Sequence, residues 1–136
     1  MNATLAVEVV MTTKRILIVD DEVHIREVVQ TCLETLGGWN VLSVASGREG
    51  LLKAETEQPD AILLDVMMPG MDGFAFLRQL RSNRATQDIP VVLLTAMAHR
   101  FNQQQLAELG VRGAIAKPFN PILLTDEIAM ALGWRA

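Results

Sequence analysis

Short runs of apolar residues alternate along this chain with longer segments in which apolar residues recur every three or four positions. The short runs have the length of strands and consist largely of Val, Ile and Leu, as in strands covered on both faces. The longer segments have the period of helices with one buried face. Five such pairs are typical of repeated βαβ units and a parallel sheet. The predicted strands are 15–20, 40–44, 61–65, 90–95 and 113–117.

Capping signals place the ends of the first two helices. Gly37 and Gly38 are expected to end helix one. Ser46 and Glu49 match a capping box, in which each side chain bonds a free backbone amide at the start of helix two. The buried stripe of helix one is expected to comprise Ile25, Val29, Cys32, Leu33 and Leu36.

Turn and capping residues also delimit the last three helices. Asp72 is expected to cap helix three, and helix four is expected at about 102–109. Asn120 as the cap and Pro121 at the first helical position predict the start of helix five. Helix three is expected to bury Phe76, Leu77 and Leu80 with Arg78 and Arg81 outward, and helix five to bury Leu124, Ile128, Ala131 and Leu132.

Polar residues stand where four of the predicted strands end. They are Asp20, Asp21, Asp65, Thr95 and Lys117. Because ligands of parallel α/β sheets bind at the carboxyl ends of strands, we expect these side chains to gather at one edge. Two carboxylates about 4 Å apart repel by roughly 4 kcal/mol at an effective dielectric of 20, so three of them need a counter-charge. Mg²⁺ prefers such oxygen ligands, and with a nearby hydroxyl and ammonium it would suit phosphoryl transfer to an aspartate.

Composition narrows the class of protein. The 136 residues are 50% hydrophobic, which is enough for one domain with a normal core. The net charge of -4, without a dense Lys/Arg run, argues against direct binding to nucleic acid. No apolar run approaches the ~20 residues of a spanning helix, so membrane insertion is not expected. The single cysteine, Cys32, lies at an apolar helix position and indicates a core residue in a reducing cytoplasm.

The domain is predicted to span residues 14–136. Residues 1–13 contain an apolar stretch but lack the charged start and cleavage site of a secretory signal. We expect a flexible N-terminal extension there, with an added edge strand or a partner-binding segment as the alternative. Because the chain stops soon after helix five, a single-domain protein without an effector domain is expected.

Four segments resemble the signatures of the receiver domain of bacterial response regulators. They are Ile18-Val19-Asp20-Asp21-Glu22, Leu64-Asp65-Val66-Met67-Met68-Pro69-Gly70-Met71-Asp72-Gly73, Leu94-Thr95-Ala96 and Ala116-Lys117-Pro118-Phe119. The resemblance implies an α/β fold, a flavodoxin-like doubly wound sheet of five parallel strands in the order 2-1-3-4-5 with five helices. It also implies a single-domain response regulator of a two-component system or phosphorelay. Such a protein is not an enzyme beyond the phosphorylation and dephosphorylation of its own aspartate.

The same resemblance implies a role for each residue at the sheet edge. Asp65 would be the phosphoacceptor, taking the group from a phosphohistidine of a sensor histidine kinase or a histidine phosphotransfer protein. The Mg²⁺ ligands would be Asp20, Asp21, Asp65 and the backbone carbonyl of Met67, with Asp20 acting largely through a coordinated water. Thr95 and Lys117 would neutralise charge on the phosphoryl oxygens. The downstream protein target is not identified by the sequence, and a homodimer stays open.

One position departs from the receiver pattern. Ala114 stands three residues before Lys117, where receivers commonly carry Tyr or Phe. In the usual mechanism that ring turns inward when Thr95 moves toward the phosphoryl group. Without a ring, either the loop from Thr95 to His99 carries the signal to helix four, or the domain passes its phosphoryl group onward with little rearrangement. The resemblance also implies a cis peptide between Lys117 and Pro118.

Two other classes of function remain as alternatives. A phosphatase with an aspartyl-phosphate intermediate generally needs a second acid two residues after the nucleophile, and that position is Met67 here. A non-phosphorylated, receiver-like interaction module would not need the intact set of acids with Thr95 and Lys117. The receiver interpretation is therefore preferred to both.

Overall fold

The computed structural model describes residues 13–134, so most of the predicted N-terminal extension lies outside the described residues. The strands are β1 (Arg15–Val19), β2 (Asn40–Val44), β3 (Ala61–Asp65), β4 (Val91–Thr95) and β5 (Gly113–Ala116). The helices are α1 (Val23–Gly37), α2 (Gly47–Glu57), α3 (Gly73–Ser82), α4 (Gln103–Leu109) and α5 (Leu124–Leu132), with a 3₁₀ turn at Ala98–Arg100.

The strands form one parallel sheet in the order β2-β1-β3-β4-β5. This confirms the predicted flavodoxin-like fold with five parallel strands and five helices in residues 13–134. None of the helices in this range is long and apolar enough to cross a membrane.

Two hydrophobic clusters cover the two faces of the sheet. In β1, Leu17 and Val19 pack into the cluster beneath α2, α3 and α4, while Ile16 and Ile18 pack into the cluster beneath α1 and α5. Successive side chains of a strand point to opposite faces, so a strand buried on both faces must be apolar throughout. The continuous Val/Ile/Leu runs of the sequence follow from this arrangement.

The strand register brings the polar strand ends to one level. Val19 of β1 pairs with Leu64 of β3, so the next residues along the two strands are Asp20 and Asp65. On the other side of β3, Asp65 is level with Leu94 of β4. The acids therefore meet at the carboxyl edge of the sheet because the strands are parallel and in this register.

The predicted buried stripe of α1 is correct for its three central members, while Ile25 is only partly buried and the last member is exposed. Val29, Cys32 and Leu33 are buried, whereas Leu36 is 58% exposed. In the final turn Gly37, and not Leu36, faces the neighbouring helix, because a Cβ at Gly37 would lie 2.9 Å from Cγ2 of Thr125. The stripe thus continues from Leu33 to a glycine four positions later.

The prediction that Arg81 points outward is wrong. Its guanidinium folds back and donates hydrogen bonds to the carbonyls of Gln87 (2.9 Å), Ile89 (2.7 Å) and Gly110 (2.9 Å). Arg78, on the same helix, is exposed as expected. Helical period alone does not distinguish the two, because the carbonyls that Arg81 reaches belong to later segments of the chain.

Two helix starts also differ from the prediction. At α2, Ser46 accepts a hydrogen bond from the Glu49 amide, but its hydroxyl also binds the Glu49 carboxylate, so only half of the capping box forms. At α5, the helix begins at Leu124, later than predicted. Asn120 accepts the Ile122 amide on its side chain and two further amides on its carbonyl, which makes a separate turn before the helix.

Candidate functional site

Three carboxylates gather at the carboxyl edge of the sheet. One oxygen from each of Asp20, Asp21 and Asp65 lies within 4.8 Å of the other two. Asp20 and Asp65 are only 1% and 4% exposed, while Asp21 faces solvent. This confirms the predicted gathering of the acids and leaves one open side through which solvent reaches the cluster.

Lys117 reaches into the acid cluster from the end of β5. Its Nζ lies 2.9 Å from Asp20, 3.0 Å from Glu22 and 3.5 Å from Asp65. The Lys117 amide donates to the carbonyl of Thr95, and the bond to Pro118 is cis, as the sequence resemblance implied. Burial by itself lowers the pKa of Lys117, but hydrogen bonds to Asp20 and Glu22 outweigh it, and the pKa is raised.

Opposing effects act on the pKa of Asp65. Burial raises its pKa to about 6, and the charge of Asp20 acts in the same direction. A hydrogen bond from the Met67 amide to Oδ1, 3.1 Å long, and the charge of Lys117 oppose that rise. Asp65 is therefore an acid whose ionised form is destabilised by its surroundings in the absence of a further cation.

The loop between β3 and α3 is held close to Asp65 by Gly73. The Gly73 amide donates to the Val66 carbonyl at 2.9 Å, and a Cβ at this position would lie 2.8 Å from the Val66 Cα. Only glycine permits so close an approach of two backbone segments. Asp72 then caps α3 by accepting the Ala75 amide at 2.8 Å, as predicted.

Thr95 ends β4, the strand next to Asp65, and is fully buried. Its hydroxyl oxygen accepts a hydrogen bond from the Met97 amide at 3.0 Å, so the hydroxyl is tied to the loop that leaves β4. Ala114 lies on the adjacent strand, level with Leu93, and packs against the same core cluster as Met97 and Phe101. The residue three positions before Lys117 therefore contributes only a methyl group to this cluster.

Two contacts of the cluster were not anticipated from the sequence. Glu22 is a direct partner of Lys117, and Arg26 donates to the backbone carbonyl of Asp20 at 2.7 Å. Glu22 directly follows the two aspartates, so its position in the acidic segment was the available signal. Arg26 had no such signal, because its partner is a backbone atom.

The donor set fits a hard divalent cation. Three carboxylates, of Asp20, Glu22 and Asp65, contact the ammonium of Lys117, and a fourth, of Asp21, lies close to those of Asp20 and Asp65. Oxygen donors of this kind suit Mg²⁺, which binds through a few carboxylates and retains several waters. A divalent cation would also favour the ionised form of Asp65, which its surroundings disfavour.

Comparison with known families decides which kind of protein this site belongs to. The family model described as the response regulator receiver domain matches residues 16–129. The chain belongs to this family. Receiver domains are signalling modules of two-component systems, and members typically bind Mg²⁺ at an acidic pocket and work with histidine kinases.

Relatives of this receiver domain include larger regulators. It is 43% identical over 108 residues to the alkaline phosphatase synthesis transcriptional regulatory protein PhoP of Bacillus subtilis, covering 79% of this chain and 44% of that protein. It is 40% identical over 122 residues to the phosphate regulon transcriptional regulatory protein PhoB of Pseudomonas aeruginosa, covering 90% and 53%. The chain thus spans about half the length of these curated relatives.

Solved structures of receivers superpose closely on this domain. The chemotaxis response regulator CheY4 of Vibrio cholerae has a TM-score of 0.79 at 34% identity, covering 88% of this chain and 99% of that one. The receiver domain of the sensor histidine kinase PA1611 from Pseudomonas aeruginosa has a TM-score of 0.76 at 30% identity, covering 90% and 99%. The latter structure contains a magnesium ion coordinated in its active site cleft.

Proposed function

We propose that this receiver domain accepts a phosphoryl group from a phosphohistidine onto Asp65 in a Mg²⁺-dependent reaction. The observation that carries the proposal is the position of the buried Asp65 carboxylate, which shares one small cluster with Asp20 and Asp21 and lies 3.5 Å from the Lys117 ammonium. The donor is a sensor histidine kinase or a histidine phosphotransfer protein in the cytoplasm. Output proceeds by binding of a protein target or by onward phosphotransfer.

Asp65 is the nucleophile. A carboxylate oxygen of Asp65 attacks phosphorus while the phosphorus–nitrogen bond to the donor histidine breaks and its electron pair stays with the imidazole. With a pKa of about 6, Asp65 is roughly nine-tenths ionised at pH 7, so no general base is required. Water later attacks the phosphorus of the acyl phosphate and releases inorganic phosphate, which restores Asp65.

The other residues bind and neutralise the transferred group. Asp21, Asp65 and the backbone carbonyl of Met67 would hold Mg²⁺ directly and Asp20 largely through a water, and the bound ion would supply positive charge to the phosphoryl oxygens. The Lys117 ammonium pairs with one phosphoryl oxygen and gives up some of its contacts with the acids when it does so. The Thr95 hydroxyl donates to another oxygen. Each group stabilises charge on the equatorial oxygens in the transition state.

Intact mass measurement tests this function. The protein is incubated with Mg²⁺ and a small acyl phosphate, and a mass gain of one phosphoryl group is expected. The gain should be absent in Asp65→Asn and after chelation of the metal, and it should persist in the matched surface variant Asp126→Asn. A wild-type protein that gains no mass would overturn the proposal and favour an interaction module that is not phosphorylated.

A further inference from the structure

Three carboxylates share the ammonium of Lys117. Its Nζ lies 2.9 Å from Oδ2 of Asp20, 3.0 Å from Oε1 of Glu22 and 3.5 Å from Oδ2 of Asp65. Because a lysine ammonium has three N–H donors, these acids can occupy all of them. A phosphoryl oxygen on Asp65 that pairs with Lys117 must therefore compete with acids that already bind it.

The Asp20 carboxylate is held firmly beside Lys117. Asp20 is 1% exposed, its Oδ1 accepts the Glu22 amide at 2.9 Å, and its carbonyl accepts a hydrogen bond from Arg26 at 2.7 Å. A buried carboxylate that loses its ammonium partner keeps a charge without compensation, which is costly. We therefore expect Lys117 to keep its contact with Asp20 when a phosphoryl group arrives.

The Glu22 carboxylate is held much less firmly. Its side chain is 59% exposed, and within residues 13–134 Lys117 is the one hydrogen-bond partner of this carboxylate. Glu22 does not belong to the group of three acids whose oxygens lie within 4.8 Å of one another. Water solvates an exposed carboxylate as soon as its ion pair opens, so the loss of the contact costs little. Of the acids that bind Lys117, Glu22 is the one that can leave most easily.

Charge repulsion favours the departure of Glu22 as well. A phosphoryl group adds roughly two negative charges to the site near neutral pH. A carboxylate and a phosphoryl group on the same ammonium repel each other, because like charges a few ångströms apart interact strongly near a protein surface. Glu22 therefore stabilises the position of Lys117 before phosphorylation more than its position afterwards.

We propose that Glu22 competes with the incoming phosphoryl group for Lys117 and thereby slows the phosphorylation of Asp65. The inference rests on the proposed phosphorylation of Asp65 and names a residue that controls its rate. Glu22 binds Lys117 in the unphosphorylated domain and turns into solvent when a phosphoryl oxygen takes its place, while Asp20 keeps the ammonium at the site. Glu22 is thus a positioning residue that acts through Lys117.

Glu22→Gln tests the inference through two separate rate constants. Loss of the charge weakens the contact with Lys117 in the unphosphorylated domain, so phosphorylation by a small acyl phosphate at saturating Mg²⁺ should become about threefold faster, as expected for an exposed ion pair. Hydrolysis of the phosphorylated protein begins after Glu22 has left Lys117, so its rate should stay within about 1.5-fold of wild type. Time courses of the intact mass, before and after removal of the donor, give both constants.

Glu27→Gln is the matched control for the change in charge. Glu27 lies on α1, its side chain is 70% exposed, and its ion-pair contact is with His24 at 3.7 Å. This variant removes the same charge close by without touching Lys117, so both rate constants should equal those of wild type. An equal acceleration in both variants would reveal a general effect of net charge and contradict the inference.

A crystal structure with a phosphoryl mimic tests the displacement itself. With Mg²⁺ and beryllium trifluoride bound at Asp65, the Lys117 ammonium should contact a fluorine atom, and the Glu22 carboxylate should lie more than about 4 Å from Nζ. A Glu22 carboxylate that stays in hydrogen-bond contact with Nζ would refute the competition.

The mass gain and the rates separate two kinds of failure. A wild-type protein that becomes phosphorylated, together with a Glu22→Gln variant that reacts no faster, would overturn this inference and leave the proposed function standing. The absence of any phosphoryl mass gain in the wild type would overturn the proposed function and this inference with it.

Discussion

At the scale of single residues, burial and neighbouring charges together set the pKa of Asp65. Burial disfavours the ionised carboxylate, Asp20 adds repulsion, and Lys117 with the Met67 amide compensates only in part. The proposed chemistry nevertheless needs an ionised nucleophile and a site that attracts a cation. The same crowding of Asp20 and Asp65 that destabilises the metal-free domain would favour Mg²⁺ binding.

Asp65→Asn is expected to stabilise the metal-free protein. The folded-state pKa of about 6 lies above the ordinary value of 3.8, so the folded state binds the proton more tightly than the unfolded state. The wild-type free energy of unfolding therefore falls as the pH rises from about 4 to 6, and the variant escapes this loss. We expect an advantage of about 3 kcal/mol at pH 7 that disappears below pH 4, measured by urea unfolding with a chelator.

The exposed Asp126→Asn variant is the control for this measurement. It should match the wild-type stability within about 0.5 kcal/mol at every pH. An Asp65→Asn protein that is less stable than wild type at pH 7 would show that the Lys117 and Met67 contacts outweigh the cost of burial.

At the scale of secondary-structure elements, long-range contacts of single side chains hold the helices in place. Arg81 links the end of α3 to the segment before β4 and to the residue that closes α4, through three backbone carbonyls. A guanidinium with several donors in one plane is suited to bind carbonyls from different segments. Arg81 therefore joins the end of α3 to the end of α4.

Comparison of Arg81→Ala with Arg78→Ala tests this role within one helix. Loss of Arg81 leaves three carbonyls without their charged partner, and we expect the free energy of unfolding to fall by about 2 kcal/mol. Loss of the exposed Arg78 should change it by less than about 0.5 kcal/mol. Chemical denaturation of both variants measures the difference, and equal effects would refute a specific role for Arg81.

At the scale of the whole molecule, the residues that stabilise the fold and the residues that form the charged site lie in different parts of the sheet. Two apolar clusters on its faces hold the strands, while the carboxyl edge carries the charges. The charged side chains come from β1, β3, β5 and the residues that follow them, which are distant in sequence. Their assembly therefore requires the complete fold, and a cation bound at this edge would stabilise the folded state over the unfolded chain.

Addition of Mg²⁺ is expected to raise the thermal stability of the domain. At a concentration 100 times the dissociation constant, the gain is about 2.7 kcal/mol if the unfolded chain does not bind the ion. The gain should be smaller at pH 5 than at pH 7, because Asp65 with a pKa of about 6 is then largely protonated. It should be strongly reduced in Asp65→Asn and Asp21→Asn.

NaCl at matched ionic strength is the control for general screening of charge. It should give much less stabilisation than Mg²⁺. Equal stabilisation by both salts would exclude a specific cation site at this edge.

The sequence was enough to predict where the strands lie along the chain. It was also enough to predict which aspartates form the acid cluster. Periodicity and burial on both faces are local patterns, and the polar residues directly follow the apolar runs that form β1, β3, β4 and β5. The resemblance of four segments to receiver signatures added the strand order, and the structure confirmed it. The burial of Cys32 and the cap at Asp72 were predictable for the same local reasons.

Only the tertiary structure decided which distant atoms come into contact. Glu22 pairs with Lys117, Arg81 turns back to carbonyls of later segments, and Phe74 meets Phe101, and no local period contains this information. The elevated pKa of Asp65 has the same origin, since it depends on burial and on charges from other strands. Local patterns determine where strands and helices form, whereas packing of the complete chain determines what each side chain reaches.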